Sequence, residues 1–144
     1  MGLIGDKLIK LIPPRQREVW IVQYQEIRMN PNNRTDKIGR PVLIVTSIEL
    51  LNNPNYPLIN IIPLSTSGEP DRLCIPIERA YEEIVNGFVP DKNSLAVIPY
   101  YQPIELKFFN SDGRCGRIDE VTYGVIVNLL CHEVIGLEDY DFEI

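Results

Sequence analysis

Hydrophobic positions along the chain fall into short segments separated by polar, turn-rich stretches. Residues 18–24 contain Val19, Trp20, Ile21 and Val22, a β-branched and aromatic series that predicts a strand. Residues 41–45 form a continuous apolar run closed by Thr46 and Ser47, the pattern of a central strand buried on both faces. Pro41 suits the first position of such a strand, where no ladder donor is missed. A second apolar run, residues 58–64, follows the turn signals Asn52, Asn53, Pro54 and Asn55 and leads into Ser65, Thr66, Ser67 and Gly68. Pro63 marks an edge or bulge near its end. Beyond it the pattern predicts a strand over 73–77, a short helix near 79–86 and a strand over 94–100. A hairpin arm over 104–109 is expected to turn at Asn110, Asp112 and Gly113.

Two segments carry helical spacing instead. Ile4, Leu8 and Leu11 lie near one face of a short amphipathic helix over 3–12, stopped by Pro13 and Pro14; it serves as a lid on the core or as a docking face for a partner. Near the other end Asp119 suits an N-cap, and Val121, Val125 and Leu129 with Ile126, Leu130 and Val134 form a wide apolar stripe ending at Gly136. This helix is expected to pack across the sheet. Strands with helices at the edges predict an α+β domain organised as a curled, barrel-like antiparallel sheet without internal repeats.

At 144 residues, with 44% hydrophobic and 24% charged, the chain makes one domain with enough apolar side chains for a real core. No apolar run approaches the roughly 18 residues that cross a bilayer, and residues 2–12 are interrupted by Asp6, Lys7 and Lys10. A soluble, cytoplasmic protein without membrane contact is expected. Cys74, Cys115 and Cys131 lack CxxC spacing and His132 stands alone, so neither a disulfide scaffold nor a zinc site is expected; the thiols read as reduced and buried. An adjacent Cys131–His132 thiol catalyst is disfavoured because neighbouring helical residues point about 100° apart.

The formal net charge of −6 argues against a generic polyanion binder. Its distribution is uneven. Residues 1–40 carry eight Lys or Arg against four Asp or Glu, leaving −10 for the remainder. That asymmetry permits a local anion site on an acidic protein, while Glu133, Glu138, Asp139, Asp141 and Glu143 read as a solvated, mobile end.

If the strands over 41–45 and 58–64 pair antiparallel about the connection 48–57, paired positions have a constant sum and Arg40 falls opposite Ser65. One rim then receives a guanidinium and a hydroxyl. Arg40 reads either as a phosphate-directed cation or as one half of a surface ion pair, and Ser65 either as a hydrogen-bond donor to a ligand or as simple turn chemistry. The long connection over 25–39 holds Arg28, Asn32, Asn33, Arg34 and Lys37. Loops of this length in compact domains are usually functional, and its residues suit an RNA backbone and base edges or a solvated surface. Trp20 reads as core or as a base-stacking platform.

The pattern Arg17-Glu18-Val19-Trp20, a long polar loop, Gly39-Arg40-Pro41-Val42-Leu43-Ile44-Val45, Ile62-Pro63-Leu64-Ser65 and Gln102-Pro103 resembles the MazF/PemK family of toxin endoribonucleases. The resemblance covers residues 15–137, with 1–14 as an added helical extension and 138–144 as an acidic tail. It implies an SH3-like antiparallel β-barrel of the MazF/CcdB type with a C-terminal helix. It also implies a homodimer with single-stranded RNA along the dimer groove, cleavage without metal or cofactor, and neutralisation by an antitoxin protein in a type II toxin-antitoxin system. Arg40 and Ser65 take the catalytic positions; Arg28, Asn32, Asn33, Arg34, Lys37, Thr66, Gln102 and Glu105 are candidates for RNA contact.

The residue types suit that chemistry. Without a metal, a ribose 2′-hydroxyl attacks the neighbouring phosphate, and the protein must stabilise a more negative phosphorane. A planar guanidinium fork matches phosphate oxygens, although with a pKa above about 12 it is a reluctant base. Arg17 stands where the family opens its first strand with glycine, and Ile104 where an arginine commonly follows the glutamine motif. The alternative functions are a MazF-like binding or assembly subunit that no longer cuts, or a topoisomerase-binding toxin of the CcdB type.

Overall fold

The structure is a computed structural model that describes residues 14–23, 27–28, 39–110 and 112–136. The expected helix over 3–12, the candidates Asn32, Asn33, Arg34 and Lys37, and the acidic tail 138–144 lie outside the described residues. Among the described residues there are eight strands: β1 (Glu18–Gln23), β2 (Gly39–Ile44), β3 (Leu58–Ser65), β4 (Cys74–Pro76), β5 (Tyr81–Ile84), β6 (Leu95–Val97), β7 (Gln102–Glu105) and β8 (Arg114–Ile118). Helix α1 spans Ile48–Leu51 and α2 spans Glu120–Leu129. Every strand pairing is antiparallel, in the order β4-β6-β3-β2-β1-β8-β5 with β7 beside β3. The sheet curls into a half-barrel, an α+β architecture closed on one side by α2.

β3 is the hub because it is long enough to serve different neighbours along its length. On one edge Ile61, Ile62 and Pro63 pair with Ile44, Leu43 and Val42 of β2. On the other, residues 58–61 pair with β7 and residues 64–65 with β6. Pro63 falls in the gap where β7 has ended and β6 has not begun, so its missing N–H deprives neither strand.

Strand alternation sends side chains from β2 and β3 into two cores. Leu43, Ile62 and Leu64 join Val19, Ile77, Ile98 and Ile118 beneath Ile126 and Leu130. On the opposite face, Val42, Ile44, Ile59 and Ile61 pack with Trp20, Val22, Ile27 and Ile104. Each fully buried aliphatic side chain here contributes about 1.5–3 kcal/mol relative to its exposed state. Burial of Val42, Leu43 and Ile44 alike matches the central strand expected from their continuous apolar run.

The N-cap of α2 is Asp119, whose Oδ1 accepts the Thr122 N–H at 2.7 Å. That backbone hydrogen bond holds the carboxyl below its ordinary pKa. Beyond Leu129 the last turn widens into a π-helical turn, Leu130–Val134, in which the Ile135 N–H reaches the Leu130 carbonyl at 2.8 Å. Gly136 follows at φ +78°, the left-handed conformation of a helix stop. The apolar stripe is narrower than its sequence suggests. Ile126 and Leu130 are buried, but Val121 is 79% and Val125 48% exposed, because they lie one step of helical rotation away from the docked edge.

Other expectations require correction. Of the predicted helix near 79–86 only Arg79 and Ala80 are helical, in the single 3-10 turn Glu78–Ala80; Tyr81–Ile84 forms β5 because β8 offers it a ladder partner. The 104–109 segment does not make a hairpin with the strand after it. β7 pairs with β3, residues 106–108 form a 3-10 turn, and β8 pairs with β1 and β5. The strand expected over 94–100 stops at Val97, where Pro99 enters a 3-10 turn. Of the three free thiols only Cys115 is buried, which pushes its pKa up to about 11; Cys74 and Cys131 are half-buried.

Two positions explain how β8 and β1 are joined to their neighbours. A Cβ on Gly116 would lie 2.1 Å from the Glu83 carbonyl oxygen, so only glycine lets β5 and β8 approach there. Arg17 adopts φ +71°, a left-handed conformation that costs a side-chain-bearing residue about 1–2 kcal/mol. Here the conformation is held by main-chain bonds from Arg17 N–H to Ile44 and from Ile118 N–H to Arg17, and by Arg17 Nη1 to Glu82 at 2.5 Å.

Candidate functional site

The β2–β3 register, carried two residues past Val42 and Pro63, sets Arg40 opposite Ser65, as the constant-sum argument requires. Alternation turns both toward the face that carries Val42, Ile44, Ile59 and Ile61. Gly39 makes room for this strand opening, since a Cβ there would lie 2.4 Å from Ile21 Cγ2. Arg40 is 9% exposed, and its Nη1 donates to the Leu64 carbonyl at 3.2 Å, the residue next to Ser65. The guanidinium therefore spans from β2 to the end of β3.

Ser65 is 7% exposed and its hydroxyl is tied into a local turn. Its Oγ accepts the Ser67 N–H at 3.2 Å and lies 3.1 Å from the Ser67 hydroxyl and 3.3 Å from the Ser67 carbonyl. Ser67 thus adds a second hydroxyl to the lip, a residue the sequence reading passed over although its i, i+2 spacing from Ser65 on a strand end was visible. Thr66, between the two serines in the bend that follows β3, is exposed. It lines a cleft of about 320 Å³ with Gly68, Lys92, Asn93 and Ser94. Lys92 is a cation that sequence reasoning did not single out; the Ser65–Leu95 pairing of β3 with β6 brings its loop here.

Gln102 opens β7 opposite Ile61 and is buried. Its side-chain oxygen accepts the Arg28 N–H at 2.8 Å, while its Nε2 donates to the carbonyls of Arg28 and Tyr100, each at 2.9 Å. Arg28 is consequently fixed at its main chain and exposed at its side chain. Next to it Ile27 is buried in the same core as Trp20 and Ile104. Glu105 lies elsewhere. It pairs with Leu58, seven positions before Ser65 on β3 and hence about 23 Å along the strand, and its carboxylate sits 3.4 Å from Lys107. Ile104 is inward-facing and buried beside Ile59.

Trp20 belongs to the core. Its ring meets Phe109 edge to face at 6.1 Å, and its indole N–H donates to Glu18 at 3.0 Å. Buried Glu18 also accepts from the Arg15 N–H at 2.7 Å and from Arg114 Nε at 2.5 Å, and Arg114 pairs onward with Glu83. This satisfied network anchors β1 to β8 and β5, so its charges serve the fold. Among the described residues no group of three or more His, Cys, Asp or Glu is placed to hold a metal ion, and no helix is long and apolar enough to cross a membrane.

No protein-family model and no curated protein matches this sequence. Solved structures do. The toxin MazF-mt6 of Mycobacterium tuberculosis matches with a TM-score of 0.57 at 15% identity, over 88% of this chain and 100% of that one. A mycobacterial endoribonuclease in complex with its cognate antitoxin matches with a TM-score of 0.56 at 13% identity, over 86% of this chain and 96% of that one. The MazE-MazF structure from Deinococcus radiodurans matches with a TM-score of 0.53 at 7% identity, over 83% and 92%. The fold is that of the MazF toxins. On this MazF-type sheet, Arg40 and Ser65 occupy one lip with Ser67 beside them. Arg28 is held on the same face by Gln102, and Glu105 stands apart at the other end of β3.

Proposed function

We propose that this chain is an endoribonuclease that cuts single-stranded RNA without a metal or other cofactor, the toxin of a type II toxin-antitoxin pair. The observation that carries the reading is the placement of a partly buried guanidinium and a serine hydroxyl on one lip of a MazF-type sheet. In this reading a ribose 2′-hydroxyl attacks the adjacent phosphate, leaving a cyclic phosphate on one product and a 5′-hydroxyl on the other. Arg40 neutralises the charge that grows on the phosphorane oxygens, in a site dry enough for that charge to count. Ser65, freed from its turn partner Ser67 or acting with it, donates a further hydrogen bond. Arg28 tracks the backbone, with Asn32, Asn33, Arg34 and Lys37 on the same connection and the exposed Thr66 between Ser65 and Ser67. Gln102 serves this surface through Arg28, and Glu105 meets RNA only where the strand extends past the lip. A homodimer, an antitoxin partner and a cytoplasmic site of action complete the proposal; the solved toxin–antitoxin complexes of the same fold support the partner.

The test incubates purified protein with mixed-sequence single-stranded RNA in EDTA, beside Arg40→Ala. Cuts with cyclic-phosphate and 5′-hydroxyl ends are expected, reduced about 100-fold or more in the variant, as for loss of a preorganised transition-state donor. Equal cleavage by both proteins would refute the assignment of Arg40. A second reading, a MazF-type binding module that does not cut, is favoured by one observation: the position of the family's usual arginine is filled by Ile104, buried in the core. Absence of cleavage across diverse RNAs from protein free of antitoxin would select it.

A further inference from the structure

We propose that Gln102 is a positioning residue, whose carboxamide replaces a strand partner for Arg28 and holds that cation on the face that carries Arg40 and Ser65. Its value for RNA rests on the cleavage reading above; the clamp itself does not. Gln102 offers one acceptor and two donors on a single plane, and the structure uses all of these functions on main-chain atoms. Both hydrogen-bonding groups of Arg28 are met by the one side chain, as they would be in an antiparallel ladder. The third bond, to the Tyr100 carbonyl, fixes the rotation of the amide, so Gln102 cannot turn toward solvent without leaving buried polar groups unmatched.

The residue type is specific. Asparagine withdraws the amide by one methylene, glutamate replaces the donors with an oxygen facing two carbonyls, and leucine offers nothing. Gln102 is only 8% exposed, which makes it a poor direct reader of RNA and a good internal support. Its ladder partner Ile61 lies four positions from Ser65 on the same face of β3, about 13 Å along the strand. The exposed Arg28 side chain is thereby attached to the sheet at a fixed interval from the lip, on the connection between β1 and β2.

Gln102→Leu is the direct test, because leucine matches the apolar surroundings and removes all three bonds. Hydrogen exchange at the Arg28 amide and tryptic cleavage after Arg28 should each accelerate about tenfold or more, the effect of losing a pair of buried hydrogen bonds. Exchange at Leu43 and Ile62 in the β2–β3 ladder should stay at wild-type rates. With RNA, KM should rise about tenfold at unchanged kcat, as for loss of uniform binding. Arg28→Ala should do the same, and the double variant no more than either single one. Unchanged exchange and proteolysis at Arg28 would overturn the clamp. A released Arg28 with wild-type KM, or additive effects in the double variant, would overturn its role in positioning. If Gln102→Leu does not fold, Gln102→Asn carries the same expectations and the same refutations. Failure of the wild type to cut RNA would remove the cleavage reading alone, because exchange and proteolysis judge the clamp without RNA.

Discussion

The two faces of the sheet are built from the same strands and differ in what covers them. Under α2, Leu43, Ile62, Leu64, Ile118, Ile126 and Leu130 make an apolar interior closed by a regular capped helix. The opposite face holds an equally apolar and equally buried centre around Ile44, Ile59 and Ile61, against which Leu51, Leu106, Phe108 and Phe109 pack from a single helical turn and a 3-10 segment with its flank. Arg40, Ser65 and Gln102 all turn toward this second face, each buried and each hydrogen-bonded to main chain. A helix satisfies its own backbone and asks nothing polar of the sheet beneath it. Irregular cover leaves carbonyls and amides to be met by side chains, and the polar groups recruited for that purpose are also those able to meet a ligand. One face therefore stabilises the domain and the other positions chemistry.

The contrast can be broken first at Ile104. Ile104→Arg buries an uncompensated charge and should cost about 3–5 kcal/mol in urea unfolding. Tolerance of that change with stronger RNA binding would show the second face to be open there. Ile126→Ala, beneath the helix, should cost about 2–5 kcal/mol by the same measurement without altering RNA cleavage per folded molecule. A selective loss of cleavage would mean that the faces are coupled.

Asp119→Ala removes the cap of α2 and should cost about 1 kcal/mol near neutral pH. The folded-state pKa of Asp119 is depressed by the Thr122 N–H, so its stabilisation is complete above an unfolded value of about 3.9 and disappears as pH falls through the lower folded value. Melting temperatures of wild type and variant should converge over that acid range; a constant gap would show that the carboxylate charge is irrelevant to the cap. Arg17→Gly sets two opposed terms against each other. It relieves about 1–2 kcal/mol of left-handed strain and loses a half-exposed ion pair worth about 0–1 kcal/mol, so stability should shift by no more than about 2 kcal/mol. A larger loss would assign Arg17 a structural role beyond its pairing with Glu82.

Local chemistry explains which elements were legible. β1, β2 and β3 announce themselves through β-branched runs bounded by prolines and polar turns, and Asp119 with Gly136 brackets the final helix. The Arg40–Ser65 pairing was legible because an antiparallel register follows from one connection. β5 was not, since Glu82 and Glu83 favour a helix in isolation and become a strand only against β8. The same limit hid the partner of β7, because nothing near residues 102–105 indicates that residues 58–61 will be its ladder.

By itself the sequence determined the alternation that gives the sheet two apolar faces, the strand that carries Arg40 and the cap that starts α2, all of which depend on neighbours a few residues apart. Tertiary structure alone decided that Trp20 is core, that Glu105 stands apart, and that Gln102 spends its amide on Arg28, 74 positions away. These outcomes depend on which buried polar group finds which partner, and that choice is made only when distant segments meet and water is excluded between them.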